Sequence, residues 1–183
     1  MSNNYHLYEI VITAIVVKNG NYLITRRSMT KKRFPGMWTV PGGHLDPEDY
    51  ENTPKESKDY WYNVLEKALA RELQEEVGIK VRNVEYITSL ATVHGDGPKS
   101  LVISCIADYV SGKVTLKDGE NDQYAWVSLK ESKKYPLIGG IYEELYVAEQ
   151  KRKGKKIKWK AIDQSSKKKN AGKKDKPKKR QGK

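Results

Sequence analysis

Glu72, Glu75 and Glu76 fall within the run Arg71-Glu72-Leu73-Gln74-Glu75-Glu76-Val77-Gly78-Ile79. On a helix these three acids occupy i, i+3 and i+4 and share one face. Like charges at that spacing repel, at about 0.2–0.5 kcal/mol per pair in an isolated helix. A hard divalent cation wants such a group of oxygen ligands, so the cluster points to Mg²⁺ chemistry. The opposite face carries Leu65, Leu69, Leu73 and Val77 at intervals of four, an apolar stripe for a core. One helix can thus pack on a sheet and offer carboxylates to a cleft.

A second feature lies upstream. Trp38-Thr39-Val40 is a short apolar segment running into Pro41-Gly42-Gly43. The glycines allow positive φ and close approach of a ligand. A glycine turn followed by Arg-Glu-Leu-x-Glu-Glu-x-Gly-Ile closely resembles the signature of the Nudix hydrolases, which cleave a nucleoside diphosphate linked to another group. The second half of the signature matches at every defined position.

The resemblance implies a Nudix-type α/β/α sandwich with a mixed sheet, and Mg²⁺, or Mn²⁺ in its place, as cofactor. It implies metal ligation by Glu72, Glu75 and Glu76, Glu76 being the surest, with the Gly42 carbonyl joining them. Arg71, one turn before Glu75, would orient it. The general base is either Glu72 or an acid in the loop 118–122, Glu120 foremost, while Glu75 belongs to the same catalytic group. Arg26, Arg27 and Arg33, with Lys31 and Lys32, are candidates for the substrate's phosphates or distal group, because arginine forks match phosphate geometry. Phe34, Tyr22 or Trp38 could stack on a base, although Trp38 and Trp126 sit in strand-like context suited to the core.

The signature departs from its pattern at one place. Its glutamate, counted back seven intervening residues from Arg71, falls on Asn63, and Gly43 then lies 20 residues before Asn63 where six is usual. An insert of about 14 residues is implied, assigned to residues 44–60, with Glu48, Glu51 or Glu56 as candidate substitutes for the missing acid.

The elements that must position these groups follow from periodicity and turns. Strands are expected at 9–18, 22–27, 38–40, 85–93, 101–110 and 124–128, with a short edge segment at 113–116. Asn19-Gly20 signals a hairpin. Thr53-Pro54-Lys55-Glu56 reads as a capping box, so the catalytic helix is expected from Pro54 to Val77, ended by Gly78. Residues 141–151 read as a closing helix.

The 183 residues split by charge. Residues 151–183 carry 17 Lys/Arg and two acids, a net +15, whereas residues 1–150 carry −3. The expected organisation is a catalytic domain over 1–150 and a lysine-rich, disordered tail over 151–183. Such a tail binds nucleic acid non-specifically through counterion release, and Lys176-Pro177-Lys178-Lys179-Arg180 also resembles a nuclear-import cluster. The single cysteine, Cys105, excludes an intrachain disulfide and suits buried packing in a reducing compartment. The apolar run Ile10–Val17 is too short to span a bilayer, which takes about 20 residues. A cytoplasmic protein without membrane partners is expected, its oligomeric state open, a homodimer included. His94 is a loop histidine that could touch substrate.

Three functions compete. The first is Mg²⁺-dependent hydrolysis of the pyrophosphate linkage in a small nucleotide. The second is removal of an RNA 5′ phosphate or cap, with the tail as tether. The third is a non-hydrolysing nucleotide sensor, motivated by Asn63 and the insert.

Overall fold

A computed structural model describes residues 6–93, 95 and 98–155. His94 and the tail beyond Lys155 lie outside the described residues.

The chain opens with β1 (Tyr8–Lys18) and β2 (Asn21–Arg27), joined through Asn19 and Gly20, both at positive φ. That turn matches the right-handed twist of the flanking strands. Short strands β3 (Trp38–Thr39) and β4 (Gly42–His44) carry the glycine turn. A 3₁₀ turn over Pro47–Asp49 and an irregular segment lead to α1 (Val64–Val77). The long strands β5 (Lys80–Val93) and β6 (Lys99–Ser111), then β7 (Asn121–Val127), complete the sheet. One-turn α2 (Leu129–Ser132), with a capping box at Ser128, and α3 (Ile141–Arg152) close the domain.

The sheet runs β3-β2-β1-β6-β5, with β4 also paired to β1 and β7 to β2. β1 and β6 are parallel and the other pairs antiparallel, so the sheet is mixed as expected. Alternation along β1 divides the core. Ile12, Ala14 and Val16 pack against Ala68, Leu69, Leu73 and Val77 of α1. Ile15 and Val17 pack on the other face, with Ile141, Leu145 and Ala148 of α3. A sheet between helical layers results, the α/β/α sandwich.

Two expectations are corrected. The catalytic helix begins at Val64 rather than Pro54. Asn63 adopts the left-handed conformation, φ 54°, which interrupts any helix arriving from upstream. Glu56, expected to complete a capping box with Thr53, instead pairs with Lys67 and accepts the Tyr62 N–H, while the Thr53 hydroxyl donates to the Tyr50 carbonyl. Secondly, residues 113–116 form no strand. Thr115 and Lys117 donate their backbone N–H groups to the Val77 and Glu76 carbonyls at 3.1 and 3.0 Å. The end of α1 leaves those carbonyls without helical partners, and this segment supplies them.

Candidate active site

Gly42 sets the relation between sheet and helix. It pairs with Thr13 of β1, and an added Cβ would lie 2.2 Å from the Ile12 carbonyl oxygen. With the strand so close, the Gly42 N–H donates to Glu76 Oε2 at 2.9 Å. Asn121 Nδ2 donates to Glu76 Oε1 at 2.7 Å. Burial pushes the Glu76 carboxyl up to about 7, against the pull of those two donors. Glu72 accepts from the His44 N–H at 3.2 Å and Arg71 Nη1 at 3.1 Å. A Cβ on Gly43 would come within 2.1 Å of the Glu72 carboxyl carbon, so this glycine is the space the acid occupies. Glu75 is more exposed, with Arg71 Nη1 at 3.5 Å and Lys117 Nζ at 3.9 Å.

Arg71 is held from below by Asp49. Nε reaches Oδ1 at 2.5 Å and Nη2 reaches Oδ2 at 3.0 Å, a bidentate fork. The Asp49 side chain is 3% exposed. Asp49 thus takes the supporting place that the sequence reading left to Glu48, Glu51 or Glu56. A signal was available: counting forward from Gly43, five residues intervene before Asp49. The extra residues therefore lie between Asp49 and Arg71, at 50–63 rather than 44–60. Tyr50 and Trp61 close that insert on itself, ring centroids 5.4 Å apart, with Trp61 Nε1 donating to the Thr53 carbonyl. Asn63, at the former glutamate position, precedes α1 and makes no side-chain cap.

These groups line a cleft of about 550 Å³. Gly42, Arg71, Glu72, Glu75 and Glu76 line it, as do Arg27, Lys31, Arg33, Phe34 and Glu120. Glu120 pairs with Lys31, and Arg27 Nε donates to the Arg33 carbonyl at 2.9 Å. Phe34 is 42% exposed, with φ at 53°. Arg26 is not brought there: its guanidinium is locked in a fork on Asp122 at 2.6 and 2.9 Å, and strand alternation turns it away from Arg27. Tyr22 and Trp38 are buried in the core and offer no face to a base. Cys105 is buried, and burial pushes its thiol up, away from the reactive thiolate.

Among the described residues no three acid, histidine or cysteine side chains converge closely enough to enclose a metal ion. The donor set nonetheless fits one in kind: three carboxylates on one helix face, the most buried of them costly to ionise without a cation beside it.

A helix carrying Arg-Glu-x-x-x-Glu-Glu beneath a glycine turn, on a mixed sheet between helices, defines the class of Nudix-type phosphoanhydride hydrolases. Residues 8–146 match the family described as the NUDIX domain, and the chain belongs to that family. The nucleoside triphosphatase NudI of Klebsiella pneumoniae (strain 342) is 28% identical over 141 residues, 69% of this chain and 86% of that protein. An NAD-capped RNA hydrolase, NudC, of Pseudomonas aeruginosa (strain LESB58) is 34% identical over 116 residues, 63% of this chain but 34% of that protein. Against the NAD-capped RNA hydrolases it matches, the chain spans half their length or less. Among solved structures, the MutT protein of Methanosarcina mazei Go1 superposes with a TM-score of 0.60 at 27% identity, covering 82% of this chain and 98% of that one. The chain is a pyrophosphohydrolase by family. Among the described residues no helix is long and apolar enough to cross a membrane.

Proposed function

We propose that the protein hydrolyses the pyrophosphate linkage of a small nucleotide, a nucleoside diphosphate joined to a further group, with Mg²⁺ as the working cation and Mn²⁺ as a substitute. The observation that carries this reading is the cleft itself, which is lined both by acids of the α1 face and by Arg27, Lys31 and Arg33. Glu72, Glu75 and Glu76 would hold the metal, with Gly42 beside them. A bound divalent cation supplies Lewis acidity and lowers the pKa of a coordinated water.

The remaining work falls to the chain's own groups. Arg71, fixed by Asp49, keeps Glu72 and Glu75 turned to the cleft. Arg27 neutralises phosphate charge, Arg33 serves the part of the substrate beyond the phosphates, and Phe34 offers a face for stacking. Glu72 and Glu120 are the two candidates for accepting the proton of the attacking water. Arg71 pairs with the first and Lys31 with the second.

The assay is product release from nucleoside triphosphates, nucleoside diphosphate sugars, ADP-ribose and NAD⁺ with saturating Mg²⁺, using wild type and Glu76→Gln. Turnover of at least one substrate, abolished in the variant, is expected. Equal rates would overturn the metal-cage reading.

A second reading is kept because relatives at 28–34% identity are named NAD-capped RNA hydrolases. On that reading residues 151–183, with their +15, tether RNA to a catalytic domain at 1–150. Truncation after Lys153 would then abolish turnover of capped RNA at moderate salt, while free nucleotide turnover stays within about threefold. If RNA turnover also survives the truncation, the tether is wrong. The sensor reading loses one of its two motives, since Asp49 pairs with Arg71 where Asn63 does not, and only the insert is left to it.

A further inference from the structure

Glu9 has no part in the arrangement above, yet it stands in the same cleft. A carboxylate there costs something, because the cleft must accept a polyanion. It is nevertheless fixed in place. Oε2 accepts from the Ser100 hydroxyl at 2.8 Å and faces Arg33 Nη1 at 3.5 Å. Ser100 is buried and lies opposite Glu9 across the parallel β1–β6 ladder. Oε1 accepts no hydrogen bond among the described residues, and the side chain is 29% exposed. The Ser100 hydrogen bond first, and Arg33 after it, hold the carboxyl below the usual range, so it is ionised and can only accept.

Its position along β1 gives the reach. Thr13 is the strand partner of Gly42, whose N–H holds Glu76. Glu9 lies four residues further along, about 13 Å at strand rise. Val11, paired with Val102, lies between them and gives an apolar shelf, with Phe34 also lining the cleft. A phosphate at the acid cluster would leave a sugar over the middle and a base on that shelf, its edge toward Glu9 and Arg33.

The pairing chemistry then discriminates. Guanine offers N1–H and the exocyclic N2–H₂ as adjacent donors to a carboxylate, with O6 as acceptor for an arginine. Adenine and cytosine place a ring-nitrogen lone pair beside their amine, and uracil flanks its single N–H with carbonyls. Those lone pairs face an anion unfavourably.

We propose that Glu9 is the specificity-determining residue of the cleft and selects a nucleotide whose base presents two adjacent N–H donors, the guanine edge. This rests on the nucleotide reading given above. A vicinal diol of ribose is another donor pair, and the test separates it.

The experiment measures binding of GMP, IMP and 2′-deoxy-GMP by calorimetry to the full chain, wild type and Glu9→Gln, with folding checked by circular dichroism. IMP lacks only the 2-amino group. The proposal expects GMP to bind wild type at least about tenfold more tightly than IMP, and Glu9→Gln to bring that ratio near one. The ratio of kcat/KM for GTP over ITP should fall in parallel, through KM. A wild-type GMP/IMP ratio near one, a ratio unmoved by the substitution, or no binding of any of the three overturns it. So does a variant that loses only the GMP preference over 2′-deoxy-GMP, which would place Glu9 on the sugar. Discrimination in binding without turnover of any nucleotide would uphold the inference while the hydrolase reading failed.

Discussion

Cutting the Asp49–Arg71 fork tests the support beneath the candidate site. Asp49→Ala removes two hydrogen bonds between charged groups from a side chain 3% exposed, while its partner is 31% exposed. A hydrogen bond to a charged group is worth about 1.5–3 kcal/mol. Arg71 keeps Glu72, Glu75 and the His44 carbonyl, and part of it reaches water. The two bonds together therefore contribute nearer one full bond than two, about 2–3 kcal/mol. For a chain of this size that is a fall in Tm of about 4–12 °C. The Arg71 hydrogen bond, the largest influence, holds the Asp49 carboxyl below its ordinary value. Its stabilisation is fully present above the unfolded-state value of about 3.9 and is lost as pH falls through the lower folded value. The gap between wild type and Asp49→Asn should therefore be constant from pH 5 to 8 and close below about pH 4. Turnover should fall about 10–100-fold, because Glu72 loses the anchor of its own anchor. Urea unfolding of Asp49→Ala, Arg71→Ala and the double variant gives the coupling energy. Additivity within about 0.5 kcal/mol would refute the fork as a unit, and a comparable loss in Asn63→Ala would return the supporting role to the insert.

Gly43→Ala should fold with stability within about 1 kcal/mol of wild type yet lose most activity, since the new Cβ displaces only the mobile end of Glu72; loss of both together would make Gly43 a fold residue. Asn121→Ala removes the donor to Glu76 Oε1 and should weaken Mn²⁺ affinity about 10–100-fold, read by paramagnetic titration of the full chain. An unchanged affinity would leave Asn121 a packing residue. Glu144 is buried, burial raises its carboxyl above the ordinary range, and Ser104 alone donates to it among the described residues. A raised folded value means stability present at low pH and lost as pH climbs from the unfolded value through the folded one. Glu144→Gln should therefore gain on wild type, by of order 1 kcal/mol, between pH 4.5 and 8; urea midpoints that track each other across that range would show that Glu144 does not titrate there.

Strands and core were legible because they depend on periodicity, which the sequence carries directly. β1 reads as a buried strand from its β-branched run, and α1 shows its stripe at Leu69, Leu73 and Val77. The carboxylates were legible for a different reason: their spacing on a helix is itself the geometry. Arg26 and Arg27 could not be told apart, because adjacent residues on a strand face opposite sides and only the ladder with β7 decides which meets the cleft. Asn121 gave no signal at all, since its importance lies wholly in a contact 45 residues distant in sequence.

The misreading of the insert has its own physical cause. A signature is two rigid pieces, a glycine turn with its 3₁₀ corner and a helix, clamped by one ion pair. Chain between the pieces is cheap to lengthen, since closure entropy grows only with the logarithm of loop length. Counting back from Arg71 assumes that the spacer next to the helix keeps its length, and that assumption put Asn63 in the acid's place. Counting forward from Gly43 stays within the turn, where Asp46 and Asp49 are bound to each other's backbone and the length cannot drift. The two counts disagree by 14 residues, and the disagreement locates the insertion. The piece whose own hydrogen bonds fix its length carries the acid, so Asp49→Ala, and neither Asn63→Ala nor removal of Glu56, should be the change that releases Arg71.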